Sequence, residues 1–315
     1  MSLAIFCAVL FAALLHAGWN AIVKRGGDTL LTTILVTGWA ALLSALALPW
    51  LPLPAPASWP WLAASTLLQA GYYVLVARAY QAADMSLSYP LMRGCAPPLV
   101  ALAGSLAFGE QLTAGAWLGI AVVSAGVVGM AGGVARRHLW LPLSIAVLIA
   151  TYTLVDARGV RLSGNAASYT LWLFLLSGLP LPLWALATRR AQLCRYLRGN
   201  WGRGLVGGAG TTASYGIVLW AMTQGPVAVI AALRETSILF ALLISAWVLK
   251  ERIGRAPVRR GADRGRRGGT AAGLSRPPTA AAWNGCPRPP APSPSPAHPR
   301  ARSPPGSSAG GGRSR

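Results

Sequence analysis

Charged residues are scarce in this sequence, and acidic ones are scarcest. Of 315 residues, 11% are charged and 54% are hydrophobic, with a mean hydropathy of +0.50. Soluble globular proteins carry about 25% charged residues. The composition therefore excludes an ordinary soluble enzyme, and also a chain that is disordered throughout, and it favours a membrane protein.

The seven acidic residues leave a net charge of +21, which is unevenly placed. Residues 257–315 hold 11 arginines and a single acid, Asp263. A nucleic-acid-binding domain is expected to carry its basic residues on one face of a folded structure. Here much of the excess lies in one terminal stretch, so we expect no nucleic-acid partner.

Residues that bind metals or form disulfides are also few. The four cysteines form no C-x-x-C pair, the three histidines lie far apart, and no H-E-x-x-H occurs. Structural and catalytic zinc sites depend on such spacings. We therefore expect no metal site, no cofactor and no disulfide framework.

Long apolar runs, in contrast, are abundant. A helix of about 20 apolar residues crosses a ~30 Å hydrocarbon core, and a spanning segment must satisfy its own backbone hydrogen bonds. The sequence therefore predicts an all-α membrane protein with nine readable transmembrane helices. The nine runs cover residues 3–23, 31–50, 61–80, 85–108, 113–132, 139–157, 167–187, 204–223 and 227–249.

Basic residues cluster in alternate gaps between these runs. The gaps after even-numbered helices carry only Arg158 and Arg161. Because cytoplasmic loops are enriched in Lys and Arg, the odd gaps are predicted to be cytoplasmic and the N-terminus external. The odd gaps, counted together with Arg78 near the end of the third run, hold Lys24, Arg25, Arg78, Arg136, Arg137, Arg189, Arg190, Arg195, Arg198 and Arg203.

Two arginines inside the runs mark an internal repeat. Arg93 lies in the fourth run with Glu110 17 residues later, and Arg234 lies in the ninth with Glu251 17 residues later. Five helices per half place the second half in the opposite orientation, an arrangement common in secondary transporters. We therefore predict two inverted repeats, residues 1–135 and 139–256.

The repeat requires a tenth helix near residues 256–274, and the sequence does not provide one. That stretch contains five arginines and an aspartate, which are too costly to place in hydrocarbon. Residues 257–315 are rich in Arg, Pro and Gly and are predicted to be a disordered tail. Two explanations remain open, a genuine basic tail and a reading-frame error in GC-rich DNA. The missing helix favours the frame error.

Four segments together resemble the EamA family of the drug/metabolite transporter superfamily. They are "LLHAGWNAIVKRGGD" (14–28), "ARAYQAADMSLSYPLMRG" (77–94), "FGEQLT" (108–113) and "VLKERIG" (248–254). The resemblance covers residues 1–256. It implies ten helices in two inverted halves, a central cavity lined by helices 1, 3, 4, 6, 8 and 9, and transport of small metabolites without ATP. The atypical C-terminal part departs from the family pattern.

Arg93 and Arg234 are the leading candidates for substrate contact. An ionisable side chain within the membrane costs about 2.5–3.5 kcal/mol on insertion scales, so it needs a partner or a role. A guanidinium matches a carboxylate through two parallel hydrogen bonds, which favours an anionic or zwitterionic substrate. The alternative is that each arginine pairs with an acid and only holds the bundle together. Glu235 could neutralise Arg234 or carry a proton.

Further candidates lie on other helices. Pro90, together with Pro97 and Pro98, interrupts backbone hydrogen bonding in the fourth helix, and such breaks often frame transporter sites. His16 and Asn20 share a face of the first helix beside Trp19, and His16 is a candidate for proton coupling. Each of these also has a purely structural explanation. Aromatic rings that could line a cavity are Tyr72, Tyr73, Tyr152 and Tyr215, with packing or an interfacial belt as the alternative. Asp156 is expected to pair locally with Arg158 and Arg161.

These features together predict a multi-pass secondary transporter in a bacterial inner membrane, working by alternating access. Its partners would be a small-molecule substrate, the lipid bilayer and a proton or other coupling ion, with the oligomeric state unspecified. One alternative is a flippase for a lipid-linked sugar. A membrane-embedded enzyme is disfavoured because the intramembrane acids have no catalytic spacing. A nonfunctional truncated product is the last alternative.

Overall fold

A computed structural model describes residues 1–25, 28–82, 85–130 and 139–247. Every regular element in these ranges is a helix, which confirms the predicted all-α fold. The predicted tail at 257–315, the stretch at 256–274 and Glu251 lie outside the described residues.

The described residues form ten α-helices and two short 3₁₀ turns, Leu48–Trp50 and Pro56–Ser58. The helices are α1 (Leu3–Arg25), α2 (Thr29–Ala47), α3 (Trp59–Ala82), α4 (Met85–Phe108), α5 (Ala114–Gly129), α6 (Trp140–Leu162), α7 (Ala166–Gly178), α8 (Pro180–Met222), α9 (Val227–Glu235) and α10 (Ser237–Trp247).

Among the described residues, six helical stretches are long and apolar enough to cross a membrane, judged by length and composition. They are Leu3–Val23, Thr29–Trp50, Ser88–Phe108, Trp140–Leu162, Ala166–Gln224 and Val227–Ile244. The apolar helix Ala114–Gly129 is shorter. These lengths support the membrane assignment, while the nine crossings and the inverted repeats stay predictions.

Polar side chains mark where several helices begin. The Asp28 carboxylate accepts a hydrogen bond from the Leu31 amide at 3.0 Å. The Thr113 hydroxyl and the Asn165 side chain cap α5 and α7 in the same way. Each cap satisfies one backbone donor that has no partner within its own helix, so these three residues fix where α2, α5 and α7 start.

The seventh and eighth runs differ from the prediction. The gap expected at residues 188–203 is helical, and α8 continues through it with one non-helical residue, Arg189 (φ −137°, ψ 31°), at a kink. The arginines lower the mean hydropathy of this stretch, so it was predicted to be a gap between helices. Leu193 and Tyr196 nevertheless pack against α2, which gives this stretch a buried helical face.

Glycines bring α8 close to α2. A Cβ atom added to Gly208 would lie 2.7 Å from the Ala40 amide nitrogen, and one added to Gly207 would lie 2.6 Å from Val36. Gly204 meets the Trp39 ring in the same way. Small residues allow such close helix approach, which is how membrane helices associate without a soluble-type core.

Candidate substrate site

Two buried arginines converge on one carboxylate. The Arg93 Nε atom on α4 lies 2.8 Å from Glu235 Oε2, and the Arg234 Nη2 atom lies 3.8 Å from Glu235 Oε1. The side chains of both arginines are 6% exposed and that of Glu235 is 1% exposed. The Arg93 Nε–H bond is not aimed at the carboxylate oxygen, so this contact is an ion pair without hydrogen-bond geometry. The three groups together carry a net charge of +1.

Some polar atoms of this triad have no hydrogen-bond partner among the described residues. They include Arg93 Nη2 and Arg234 Nε, both buried. A buried polar group without a hydrogen bond is costly. Each arginine therefore retains a donor that a bound acceptor could use.

The triad lies beside a tightened turn between two consecutive helices. The ninth run was predicted as one helix, but α9 ends at Glu235 and α10 begins at Ser237. The intervening Thr236 donates its amide to the Leu233 carbonyl at 3.1 Å, a tighter i to i+3 bond. Arg234 lies in the last turn of α9, where the helix dipole favours a cation.

The fourth run has no such turn. Pro90, Pro97 and Pro98 all lie inside α4, which is helical from Met85 to Phe108. Pro90 is buried one turn before Arg93, and the helix continues through all three prolines. The bend expected at these prolines stays a prediction, and the tightened turn beside the arginines lies between α9 and α10.

Asp156 lies near this triad and not in a local ion pair. Its Oδ2 atom accepts a hydrogen bond from the Tyr215 hydroxyl at 2.6 Å, and Oδ1 accepts one from Tyr169 at 3.2 Å. The residue is fully buried, whereas Arg158 is exposed and Arg161 pairs with Glu110. The expected pairing of Asp156 with Arg158 and Arg161 is therefore wrong.

Tyr215 connects the Asp156 carboxylate with the arginine triad. The Arg234 guanidinium carbon lies 5.9 Å from the centroid of the Tyr215 ring, within the range of a cation–π contact. One aromatic residue thus contacts a buried acid through its hydroxyl group and a buried cation through its ring face.

A second group of tyrosines lies near Arg93. The Tyr72 ring makes edge-to-face contacts with Tyr73 at 5.7 Å and with Tyr152 at 6.0 Å, measured between ring centroids. Tyr72 and Tyr152 are both within electrostatic reach of the Arg93 guanidinium. Tyr152 is buried, while Tyr73 is 44% exposed, so the outer ring of this group faces open space.

The histidine of α1 also faces the arginines. His16 is within electrostatic reach of both Arg93 and Arg234. Its Nδ1 atom accepts a hydrogen bond from the Trp19 indole at 3.3 Å, and its backbone carbonyl accepts one from Asn20 at 2.8 Å. The three candidate residues of α1, His16, Trp19 and Asn20, are therefore linked to each other by hydrogen bonds.

Contacts thus connect the candidate residues on α4, α8 and α9 with Asp156 of α6, and His16, Tyr72 and Tyr152 are within electrostatic reach of Arg93. The sequence indicated the two arginines, Glu235, His16 and most of the tyrosines. It did not indicate Tyr169, and it assigned Asp156 to another role. Only two acids, Asp156 and Glu235, lie inside the predicted spans. This rarity was the sequence signal that could have marked Asp156 as a site residue.

Glu110 has a different role at one end of the bundle. Gly109, with φ of 63°, turns the chain after α4, and glycine adopts such an angle without steric cost. The Glu110 carboxylate then accepts a hydrogen bond from Arg161 Nη2 at 3.0 Å and from the Val227 amide at 3.1 and 3.2 Å. Arg161 also donates to the Met222 and Gly225 carbonyls. The α4–α5 loop is therefore joined to α6 and to the start of α9.

Replacing Glu110 with glutamine should lower the free energy of unfolding by about 1–2 kcal/mol. The change removes a partly exposed ion pair and a negative charge at a helix N-terminus. Thermal unfolding of the detergent-solubilised protein would measure the effect. Gln111→Ala, an exposed position in the same loop, is the matched control, and equal stability of the two variants would contradict the assignment.

Comparison with known families agrees with part of the resemblance. Residues 137–257 match the EamA-like transporter family, which confirms the resemblance for the segment that contains α6 to α10. That segment includes Arg234, Glu235, Asp156 and Tyr215. No curated protein matches the chain.

Proposed function

We propose, from the EamA-like transporter segment at residues 137–257, that the protein is a secondary transporter of a small organic anion or zwitterion. It would lie in a bacterial inner membrane, and its two halves would be inverted repeats of residues 1–135 and 139–256. Members of the matched family are transporters, which also supports a non-enzymatic role.

The observation that carries the proposal is the surplus charge of the buried triad. Arg93 and Arg234 share the Glu235 carboxylate, so one positive charge is left over in a region where charge is expensive. Each arginine also keeps a buried donor without a partner among the described residues. A substrate carboxylate would supply both the missing charge and the missing acceptors.

The surroundings of the triad favour a substrate with an apolar part as well. Tyr215 contacts Arg234 through its ring, and Tyr72 and Tyr152 are within electrostatic reach of Arg93. Binding sites for small molecules combine such rings with a few charged or polar groups that fix orientation. The rings would contact the body of the substrate while the guanidiniums hold its carboxylate.

Alternating access would require the bundle to open at one end and a helix beside the triad to bend. The contacts of Glu110 with Arg161 and Val227 would break when the bundle opens at that end. The tightened turn at Thr236 would give the ninth span a place to bend next to Arg234 and Glu235. Helix breaks flank the binding sites of many transporters, and a bend here would place one beside the triad.

Uptake of labelled benzoate into proteoliposomes tests the proposal, because this probe combines a carboxylate with an aromatic ring. We expect Arg93→Lys and Arg234→Lys to reduce uptake at least tenfold, since lysine keeps the charge but loses the two-pronged geometry. Keeping the charge also preserves a cation for Glu235, so both variants should fold.

Arg158→Gln is the matched control, because Arg158 is exposed and takes part in none of the ion pairs found among the described residues. Benzyl alcohol, of the same ring size but uncharged, should not compete with benzoate. Full uptake by both lysine variants would remove the assigned role of the arginines. Translocation of a lipid-linked sugar without any benzoate uptake would favour the flippase alternative.

A further inference from the structure

The first part of α8 carries five arginines that the buried cluster does not use. They lie between the kink and the middle of the helix, and all five are exposed. The whole of α8 contains no acidic residue. The five are Arg189, Arg190, Arg195, Arg198 and Arg203; we call residues 189–203 the basic arm.

The basic arm is held in place along one side. Leu193 is 6% exposed and packs with Leu31 and Leu35 of α2. The Tyr196 and Thr32 hydroxyl oxygens lie 2.7 Å apart in a hydrogen bond. Because the arm is a packed helix and not a loose loop, the backbone positions from which its outward side chains extend are fixed.

Arg195 and Arg198 lie on the side of the arm away from α2. Residues three apart are neighbours on a helix surface, so the two guanidiniums project together. With a rotation of 100° per residue, both point away from the buried Leu193. The packing on α2 thus presents a pair of cations outward.

The positive charge of the arm is not neutralised by the described residues. None of the ion pairs found in the described ranges includes an arginine of the arm. Arg203 donates to the Asn200 side chain at 2.8 Å, and Arg189 lies over the Trp184 ring at 5.4 Å; neither partner is an anion. The Asp28 carboxylate, at the start of α2, caps its own helix.

One exposed tryptophan precedes the basic arm and another lies within it. Trp184 is 44% exposed and Trp201 is 56% exposed, and the exposed Leu183 and Leu186 precede the kink. Tryptophan is enriched at the level of lipid headgroups because its ring is apolar and its N–H is polar. Arg195 and Arg198 lie between these two tryptophans along the chain, a composition expected of a segment at the level of lipid headgroups.

We propose that the basic arm is a binding site for anionic phospholipid headgroups, with Arg195 and Arg198 at its centre. A guanidinium donates two parallel hydrogen bonds to a phosphate, and clustered arginines next to a membrane span attract anionic lipids. The site lies apart from the buried arginine triad. It requires neither the transport proposal nor a particular orientation in the membrane.

Lipid selectivity of the full chain tests this proposal. The protein is reconstituted in nanodiscs of equimolar dioleoylphosphatidylglycerol and dioleoylphosphatidylcholine, and the lipids it retains are identified by native mass spectrometry. We expect phosphatidylglycerol to be enriched, and the enrichment to fall about fivefold for each arginine replaced in Arg195→Gln and Arg198→Gln. That factor corresponds to about 1 kcal/mol per basic residue near the membrane surface.

Two further variants make the test specific. Arg158→Gln removes one exposed arginine elsewhere and should retain wild-type enrichment. Arg195→Lys with Arg198→Lys keeps the charge and should retain more phosphatidylglycerol than the glutamine pair. All other arginines of the chain are unchanged in these variants, so differences report the arm. Equal retention of the two lipids by the wild type, or wild-type enrichment in the glutamine pair, would overturn the proposal.

Discussion

Replacing Glu235 with glutamine is expected to lower the free energy of unfolding by about 3–5 kcal/mol, the usual cost of breaking a buried ion pair. The change leaves the Arg93 and Arg234 guanidiniums buried with no countercharge in contact. The net charge of the triad would rise from +1 to +2 in a region with little access to water. Unfolding of the detergent-solubilised variant, by heat or denaturant, would measure the loss.

A double variant separates the charge effect from local damage. Glu235→Gln combined with Arg93→Gln returns the triad to a charge of +1, so we expect it to be more stable than Glu235→Gln alone. Such non-additivity is the signature of directly interacting residues. If Glu235→Gln were as stable as the wild type, or if the second change only added to the loss, the ion pair would not be the reason for the burial of these groups.

Replacing Asp156 with leucine is expected to cost about 2–6 kcal/mol. The Tyr169 and Tyr215 hydroxyls both donate to this carboxylate, and a buried donor left without an acceptor costs about 1–3 kcal/mol. Tyr169 is packed against Gly159, where an added Cβ would contact its hydroxyl oxygen, so its ring has little room to turn elsewhere. The same unfolding measurement applies.

Asparagine at position 156 is the graded control, because its amide oxygen still accepts one hydrogen bond. We expect Asp156→Asn to lie between the wild type and Asp156→Leu. Adding Tyr169→Phe and Tyr215→Phe to the leucine variant removes the stranded hydroxyls and should recover part of the loss. A leucine variant as stable as the wild type would show that the two hydroxyls need no acceptor.

Hydropathy and length were sufficient to predict most of the helices. The fourth run, predicted at 85–108, coincides with α4, and the first and sixth begin within a residue of α1 and α6. The prediction was wrong where a helix is polar on one side, because a mean over the stretch at 188–203 conceals the apolar positions Leu193 and Tyr196. A search for helical periodicity there would have found them.

The position of Arg93, Arg234 and Glu235 within apolar runs predicted that they are buried, which the structure confirms. It did not predict which of the buried charges pair. Arg93 contacts Glu235, which is far away in the sequence, because helix packing decides which faces meet. Asp156 was assigned to Arg158 and Arg161 because they are near in sequence. Residues two apart in a helix, such as Asp156 and Arg158, do not face each other. Residues five apart, such as Asp156 and Arg161, do not face each other either. The helix geometry therefore argued against that pairing from the start.

The shared carboxylate also constrains how the chain is made. Glu235 follows Arg93 by 142 residues, and synthesis proceeds at about 5–20 residues per second. About 7 to 30 s therefore pass between the synthesis of Arg93 and that of Glu235. During that interval the nascent N-terminal helices hold an unmatched guanidinium, so α4 is expected to remain beside water or the insertion machinery until α9 arrives.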